Sequence, residues 1–189
     1  MGVIYQVGDD VPDLLVPFIL EKGGVEDVSA IEAAYREASL GLISAPEFWT
    51  RVGLRHDLED EYLSRFSITA DLPELLEGSA PRFERIYCLS NDVPEWSVKL
   101  RRRFGLEPYF SGWYISGDLG MRKPDAAIYA HVLADLGAEP AEVLFVDDRP
   151  KNLEPAAKLG MQTVCYDPED TPMCCGHRSI LRLTELLEN

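Results

Sequence analysis

Two adjacent carboxylates, Asp147 and Asp148, close the apolar run Leu144-Phe145-Val146 and open onto Arg149-Pro150-Lys151-Asn152. Two acids at a strand end do not easily stay ionised side by side without a cation, so the pair points to a Mg2+ site. Ligands of open α/β sheets also gather at the carboxyl ends of strands. A second reading stays open for the pair alone, because Asp favours the helix N-cap and a helix can begin near Lys151. Ser90 and Asn91 follow the apolar stretch Ile86 to Leu89 directly. A hydroxyl and an amide there can bind a phosphate oxygen, or can form only a turn and a cap. Lys123 precedes Pro124, which fixes the turn and keeps Lys123 extended. It is either a point cation that neutralises phosphate and restrains carboxylates, or an exposed loop lysine. Each signal is weak alone, but the three occur in order, each after its own strand.

The elements that must position these residues alternate from residue 86 onward. Strands are predicted at Ile86 to Leu89, Gly112 to Ser116, Val143 to Val146 and Gln162 to Tyr166. Helices are predicted at Pro94 to Phe104, Asp125 to Leu136, Glu154 to Leu159 and Arg178 to Leu187, with Gly105, Gly137 and Gly160 ending the first three. This alternation implies a parallel, right-handed, Rossmann-like sheet in a three-layer α/β fold. An earlier strand is expected at Val3 to Val7, ending at Gly8, and then a helix from about Pro12 to Lys22 that Asp10 can cap. Pro17 should kink that helix or delay its start.

Between these first elements and residue 77 the pattern is helical. Ser29-x-x-Glu32 and Ser44-x-x-Glu47 read as capping boxes, Asp57 precedes a third segment, and Asp71 caps a fourth. The expected organisation is a core of residues 1–22 and 77–189, with residues 23–76 as a small inserted helical cap. Phe48, Trp49, His56 and Tyr62 either line a pocket or fill the cap's own interior, and His131 has the same two readings. An exposed apolar cap face would make a dimer surface, so monomer and homodimer both stay open.

A net charge of −15 argues against nucleic acid and against an anionic membrane as partners. The one basic run, Arg101-Arg102-Arg103, reads as a solvated helix face. Cys88 and Cys165 read as buried small hydrophobes, and Cys174-Cys175 near His177 lack the usual metal-ligand spacing. No stretch reads as a signal peptide or a bilayer span, and the expected compartment is the reducing cytoplasm.

Three stretches together resemble the haloacid dehalogenase-like hydrolases: Leu89-Ser90-Asn91-Asp92, the run from Ser116 through Lys123 to Tyr129, and Leu144 through Asp147-Asp148 to Asn152. They are similar to that family's second, third and fourth motifs, and the helical insertion is similar to its small cap. That cap marks the subgroup of dehalogenases, sugar-phosphate phosphatases and the phosphatase domains of epoxide hydrolases. The resemblance implies an aspartyl-phosphate mechanism with Mg2+ and a small phosphorylated molecule as substrate. By position it gives Ser90 and Asn91 to the phosphoryl group, Lys123 to the charge of the transition state, and Asp147 with Asp148 to the metal.

The first motif departs from the family pattern. Aligning Val3-Ile4-Tyr5 on the family's first strand puts Gln6 at the nucleophile position and Gly8 at the acid/base position. An amide is a very poor nucleophile and brings no charge to a metal. Three readings follow: a fold member kept for binding or a partner, a shifted loop in which Asp9 or Asp10 substitutes, or a changed residue that traps substrate. A three-residue shift moves a carboxylate roughly 6 to 10 Å along an extended chain, too far unless the strand bulges or ends early. Asp9 and Asp10 also read as a plain turn and helix cap.

Overall fold

A computed structural model describes residues 2–171 and 176–188. Cys174 and Cys175 lie outside those residues. The chain divides into two compact units, Met1–Ile68 with Ile86–Arg122, and Thr69–Arg85 with Lys123–Asn189.

In the first unit a short π-helical stretch, Val11–Leu15, leads into α1 (Val16–Glu21), with Pro17 tolerated in the first turn. Three further helices follow: α2 (Val28–Ala38), α3 (Ala45–Arg51) and α4 (Glu59–Ser64). The capping box at Ser44 and Glu47 forms as expected. The one expected at Ser29 does not: Asp27 is the N-cap, and its carboxylate accepts from the Ser29 and Ala30 N–H groups. Then come β1 (Tyr87–Ser90), α6 (Pro94–Arg103), β2 (Gly112–Ile115) and the single turn α7 (Ser116–Leu119). β1 and β2 are parallel, with Ser90 opposite Ile115.

Phe18, Phe48, Trp49, Tyr62 and Trp96 are fully buried and pack ring to ring at centroid distances of 5.1 to 5.9 Å. These aromatic residues are interior, while His56 is exposed. Buried Glu59 accepts from the indole N–H groups of Trp49 and Trp96 at 3.0 and 2.8 Å, and its other oxygen pairs with Lys99. In the arginine triplet Arg102 and Arg103 are exposed, as a solvated face requires, and Arg101 is partly buried. Arg101 lies over the Trp113 ring, and Arg103 donates to the Leu63 and Ser64 carbonyls at the end of α4.

The strand expected at Val3 to Val7 does not form. Its residues make turns and one isolated antiparallel bridge, Tyr5 to Ile68. Val7 N–H turns back to the Tyr5 carbonyl, and the Tyr5 ring packs edge-on against Phe66. One buried aromatic anchors the stretch where a ladder was expected.

The second unit holds α5 (Leu72–Gly78), α8 (Ala126–Leu136), β3 (Leu144–Asp147), α9 (Pro150–Lys158), β4 (Gln162–Tyr166) and β5 (Arg178–Ile180). β3, β4 and β5 form a parallel sheet in that order. The helix expected over Arg178 to Leu187 is instead β5 followed by a 3-10 stretch, Leu183–Leu187. Asp71 stands at the N-cap of α5 without capping it; its carboxylate accepts from the N–H and hydroxyl of Thr184. α9 begins at Pro150, four residues before the expected Glu154. Parallel pairing interleaved with helices is the expected α/β, Rossmann-like fold class. Cys88 and Cys165 are both buried, as read, and Cys165 is disulfide-bonded. Among the described residues no helix is long and apolar enough to cross a membrane.

Candidate active site

Each unit carries one group of the residues singled out by sequence. In the second unit the strand β3 delivers Asp147 as its last residue, with Asp148 next. Lys123 stands in a turn but is only 7% exposed, so it is not the exposed loop lysine of the second reading. Its Nζ lies 2.6 Å from Asp147 Oδ2 and 5.4 Å above the Phe145 ring. The other carboxylate oxygen, Oδ1, accepts from the Arg149 N–H at 3.0 Å and from Asn152 Nδ2 at 2.8 Å. The N-cap of α9 is Arg149 and carries no side-chain cap bond, so neither acid caps the helix; Asp147 holds the Arg149 N–H, the Asn152 side chain and the lysine instead. Burial raises the Asp147 carboxyl; the Lys123 ammonium and the Asn152 amide outweigh it and hold the group below its ordinary value.

Asp148 is partly exposed and pairs loosely with its neighbour Arg149, at 3.7 Å. Asn152 is 5% exposed, and its Oδ1 is buried without a hydrogen-bond partner. Fully buried Tyr129 of α8 donates to the Asn152 carbonyl at 2.7 Å. Burial, then the Asp147 charge, keeps that phenol protonated far above neutrality. Asn152 and Tyr129 were in the motif stretches, but no role was read for them. The signal was present for Asn152, since a residue five past Asp147 falls in the first turn of a helix starting at Pro150.

In the first unit Ser90 ends β1 and Asn91 follows it, both partly buried. The Asp92 N–H donates to Ser116 Oγ at 3.0 Å, so the ends of β1 and β2 are stitched together. Tyr35 of α2 donates to Asp10 Oδ2 at 3.1 Å and to the Asn91 carbonyl at 3.3 Å. Asp10 therefore stands at the helix start without capping it, and its carboxylate turns inward beside the β1 end. Asp9 is exposed and differs: its N–H donates to Asp13 Oδ2 at 2.8 Å in a tight turn. Gly8 makes that turn at φ +59°, and a Cβ there would stand 2.5 Å from Asp13 Oδ2. Gln6 is exposed, with its N–H on the Ser67 carbonyl. It follows the bridge at Tyr5 and does not end a strand.

Asp92 is 2% exposed. Burial, and then the nearby charge of Asp10, pushes its carboxyl up to about 8, although the Val93 N–H bond pulls the other way. Among the described residues no group of three or more His, Cys, Asp or Glu side chains is placed to hold a metal ion. Lys123, Asp147 and Asn152 are thus assembled in one unit, and Asp10, Asn91 and Asp92 in the other.

A family model described as haloacid dehalogenase-like hydrolase matches residues 20–160. The chain is 33% identical over 108 residues to the chloroplastic flavin mononucleotide hydrolase 1 of Arabidopsis thaliana, a match covering 57% of this chain and 44% of that protein. It is 30% identical over 111 residues to a phosphoserine phosphatase of Thermus thermophilus, covering 56% and 45%. The chain thus spans less than half the length of these relatives. Among solved structures, a HAD family enzyme of Bacteroides thetaiotaomicron in complex with magnesium and inorganic phosphate shares the fold. Its TM-score is 0.75 at 22% identity, covering 91% of this chain and 93% of that one. A predicted HAD-like hydrolase of Porphyromonas gingivalis gives a TM-score of 0.70 at 28% identity, covering 82% and 84%.

Proposed function

Because this chain belongs to the haloacid dehalogenase-like hydrolases, we propose that it is a Mg2+-dependent phosphatase of a small phosphorylated metabolite. One observation carries the reading: the buried Lys123, Asp147 and Asn152 cluster at the end of β3. A cation and a carboxylate removed from solvent are costly unless a task or a fold needs them, and such clusters gather at functional sites. The donor set suits a hard cation. Asp147 and Asp148 offer carboxylate oxygens and Asn152 a buried, unpartnered amide oxygen, while Mg2+ commonly takes one or two carboxylates and keeps water and phosphate as its remaining ligands. When bound, the ion would screen phosphate charge. Lys123 would bring a fixed positive charge to the phosphoryl group, oriented by Asp147. Ser90 and Asn91 would bind phosphoryl oxygens, and residues 23–76 would act as the cap that selects the substrate. The similarity to a flavin mononucleotide hydrolase of Arabidopsis and a phosphoserine phosphatase of Thermus supports this reading.

Gln6 and Gly8 favour a second reading, binding without turnover. Neither residue is an acid, and the stretch around them forms a turn. Asp10, buried beside the Asn91 carbonyl through Tyr35, is the better placed of the two substitute carboxylates.

The test is hydrolysis of p-nitrophenyl phosphate with magnesium, for the native protein, Gln6→Asp and Asp147→Asn. Metal-dependent turnover by the native protein, stopped by a chelator and abolished in Asp147→Asn, is the expected result. Turnover only in Gln6→Asp would establish the binding reading in its place. Activity that survives Asp147→Asn would remove the metal role given to the β3 end.

A further inference from the structure

We propose that Tyr35 and the last turn of α2 clamp one peptide group, the Asn91–Asp92 peptide, and so set the direction of the β1 end. Both polar ends of that peptide are held by the same corner of the molecule. Its carbonyl accepts from the Tyr35 hydroxyl at 3.3 Å. Its N–H donates to Ser116 Oγ at 3.0 Å, and that hydroxyl in turn donates to the carbonyl of Ser39, the C-cap of α2, at 2.5 Å. A peptide is planar, so fixing both ends fixes the rotation that links it to Asn91. The inference rests on the reading of Ser90 and Asn91 as phosphoryl binders, and makes Tyr35 a positioning residue for them.

The clamp is itself rigid. The Tyr35 ring stacks on Trp96 at 6.2 Å and 26°, with the Arg122 guanidinium 5.9 Å from its centroid. Arg122 also donates to Ser39 Oγ at 2.7 Å. Gly41, just past the helix, runs at φ +70° so close to the Gly117 carbonyl that a Cβ would collide with it. The phenol has one proton to share between Asp10 Oδ2 and the Asn91 carbonyl. Substituting Phe removes the bond to the carbonyl while keeping the ring's packing. The helices between residues 23 and 76, read as a substrate-selecting cap, would then also shape the phosphate-binding strand end.

The experiment is calorimetric binding of inorganic phosphate at fixed magnesium by the native protein, Tyr35→Phe, Asn91→Ala and the double variant. The carbonyl 13C shift of Asn91 is followed by NMR in the native protein and in Tyr35→Phe. The expected result is roughly fivefold weaker phosphate binding in Tyr35→Phe, the size of one lost hydrogen bond. The Asn91 carbonyl signal should move, and Tyr35→Phe should add nothing once Asn91 is already Ala. Unchanged affinity in Tyr35→Phe, with Asn91→Ala impaired, overturns the clamp and leaves the phosphoryl reading standing. An equal loss in both backgrounds also overturns it, because Tyr35 would then act by another route. Indifference of phosphate binding to Asn91→Ala, or no binding by the native protein, overturns the phosphoryl reading and the clamp with it.

Discussion

Asp147 and Asp92 are both carboxylates with almost no solvent exposure, and they are held in opposite ways. Asp147 meets an ammonium, an amide and a backbone N–H; its charge is compensated and its proton is lost readily. Asp92 meets one backbone N–H and the field of a second acid, Asp10, in aromatic surroundings; its proton is held up to about 8. Burial penalises ionisation in both, so the neighbours decide the protonation state. The two residues should therefore give the molecule pH dependences of opposite sign.

Removing the lysine is the strongest way to break the contrast. Lys123→Met leaves Asp147 buried without its cation, and breaking one side of a buried pair costs about 3 to 5 kcal/mol. Urea unfolding at neutral pH should show a loss of that order. The loss should shrink as pH falls toward about 4, because burial without the lysine raises the unpaired carboxyl above its ordinary value and it takes a proton earlier. A cost under about 1 kcal/mol would mean that the pair is solvated and contributes as a surface pair does.

Asp92 sharpens the contrast from the other side. Its folded value of about 8 lies above the ordinary value of 3.8, so the unfolded chain releases this proton first as pH rises. The penalty is absent below about 4, grows between about 4 and 8, and is complete above that range. Asp147 has a depressed value, so its contribution is present above the unfolded value near 4 and fades as pH falls through its lower folded value. The joint contribution of these two residues to stability should rise from acid to about pH 4 or 5 and then decline toward 8. Asp92→Asn removes the titrating proton, and its amide oxygen can still accept from the Val93 N–H. The variant should match the native protein near pH 4 and exceed it by a few kcal/mol above pH 8. Parallel stability curves would show that Asp92 ionises in the fold at its ordinary pH.

The same contrast explains what could be read in the sequence. Local pattern was enough for β1, α6, β2, α8 and β4, because each has its own apolar period and its own glycine or proline stop. It also picked Lys123 and Asp147, which meet in one unit. It failed where a polar residue serves a distant partner. Asp10 and Asp71 both stand at helix starts and read as caps. Their acceptor oxygens go instead to Tyr35, 25 residues away, and to Thr184, 113 residues away. Nothing in the local pattern marks such a pairing. The stretch Val3 to Val7 failed for another reason: a strand needs a ladder partner, and there Tyr5 bridges Ile68 alone. The Asn91–Asp92 clamp was equally invisible, since Tyr35 fits its helix as one more apolar-face residue.

The finest division of the contrast is between burial and neighbouring charge at Asp92 itself. Burial ranks first among the causes of its raised value, and the field of Asp10 second. Asp10→Asn removes the charge while keeping an oxygen for the Tyr35 hydroxyl. The 13C titration of the Asp92 carboxyl should then move down from about 8 and still end well above the ordinary carboxylate range. The gain in stability above pH 8 should be smaller than in Asp92→Asn, because Asp92 still has to ionise in an apolar interior. If the titration fell all the way to the ordinary value, the second acid would be the cause and burial a minor contributor. Asp147 and Asp92 would then differ only in the sign of the charge beside them.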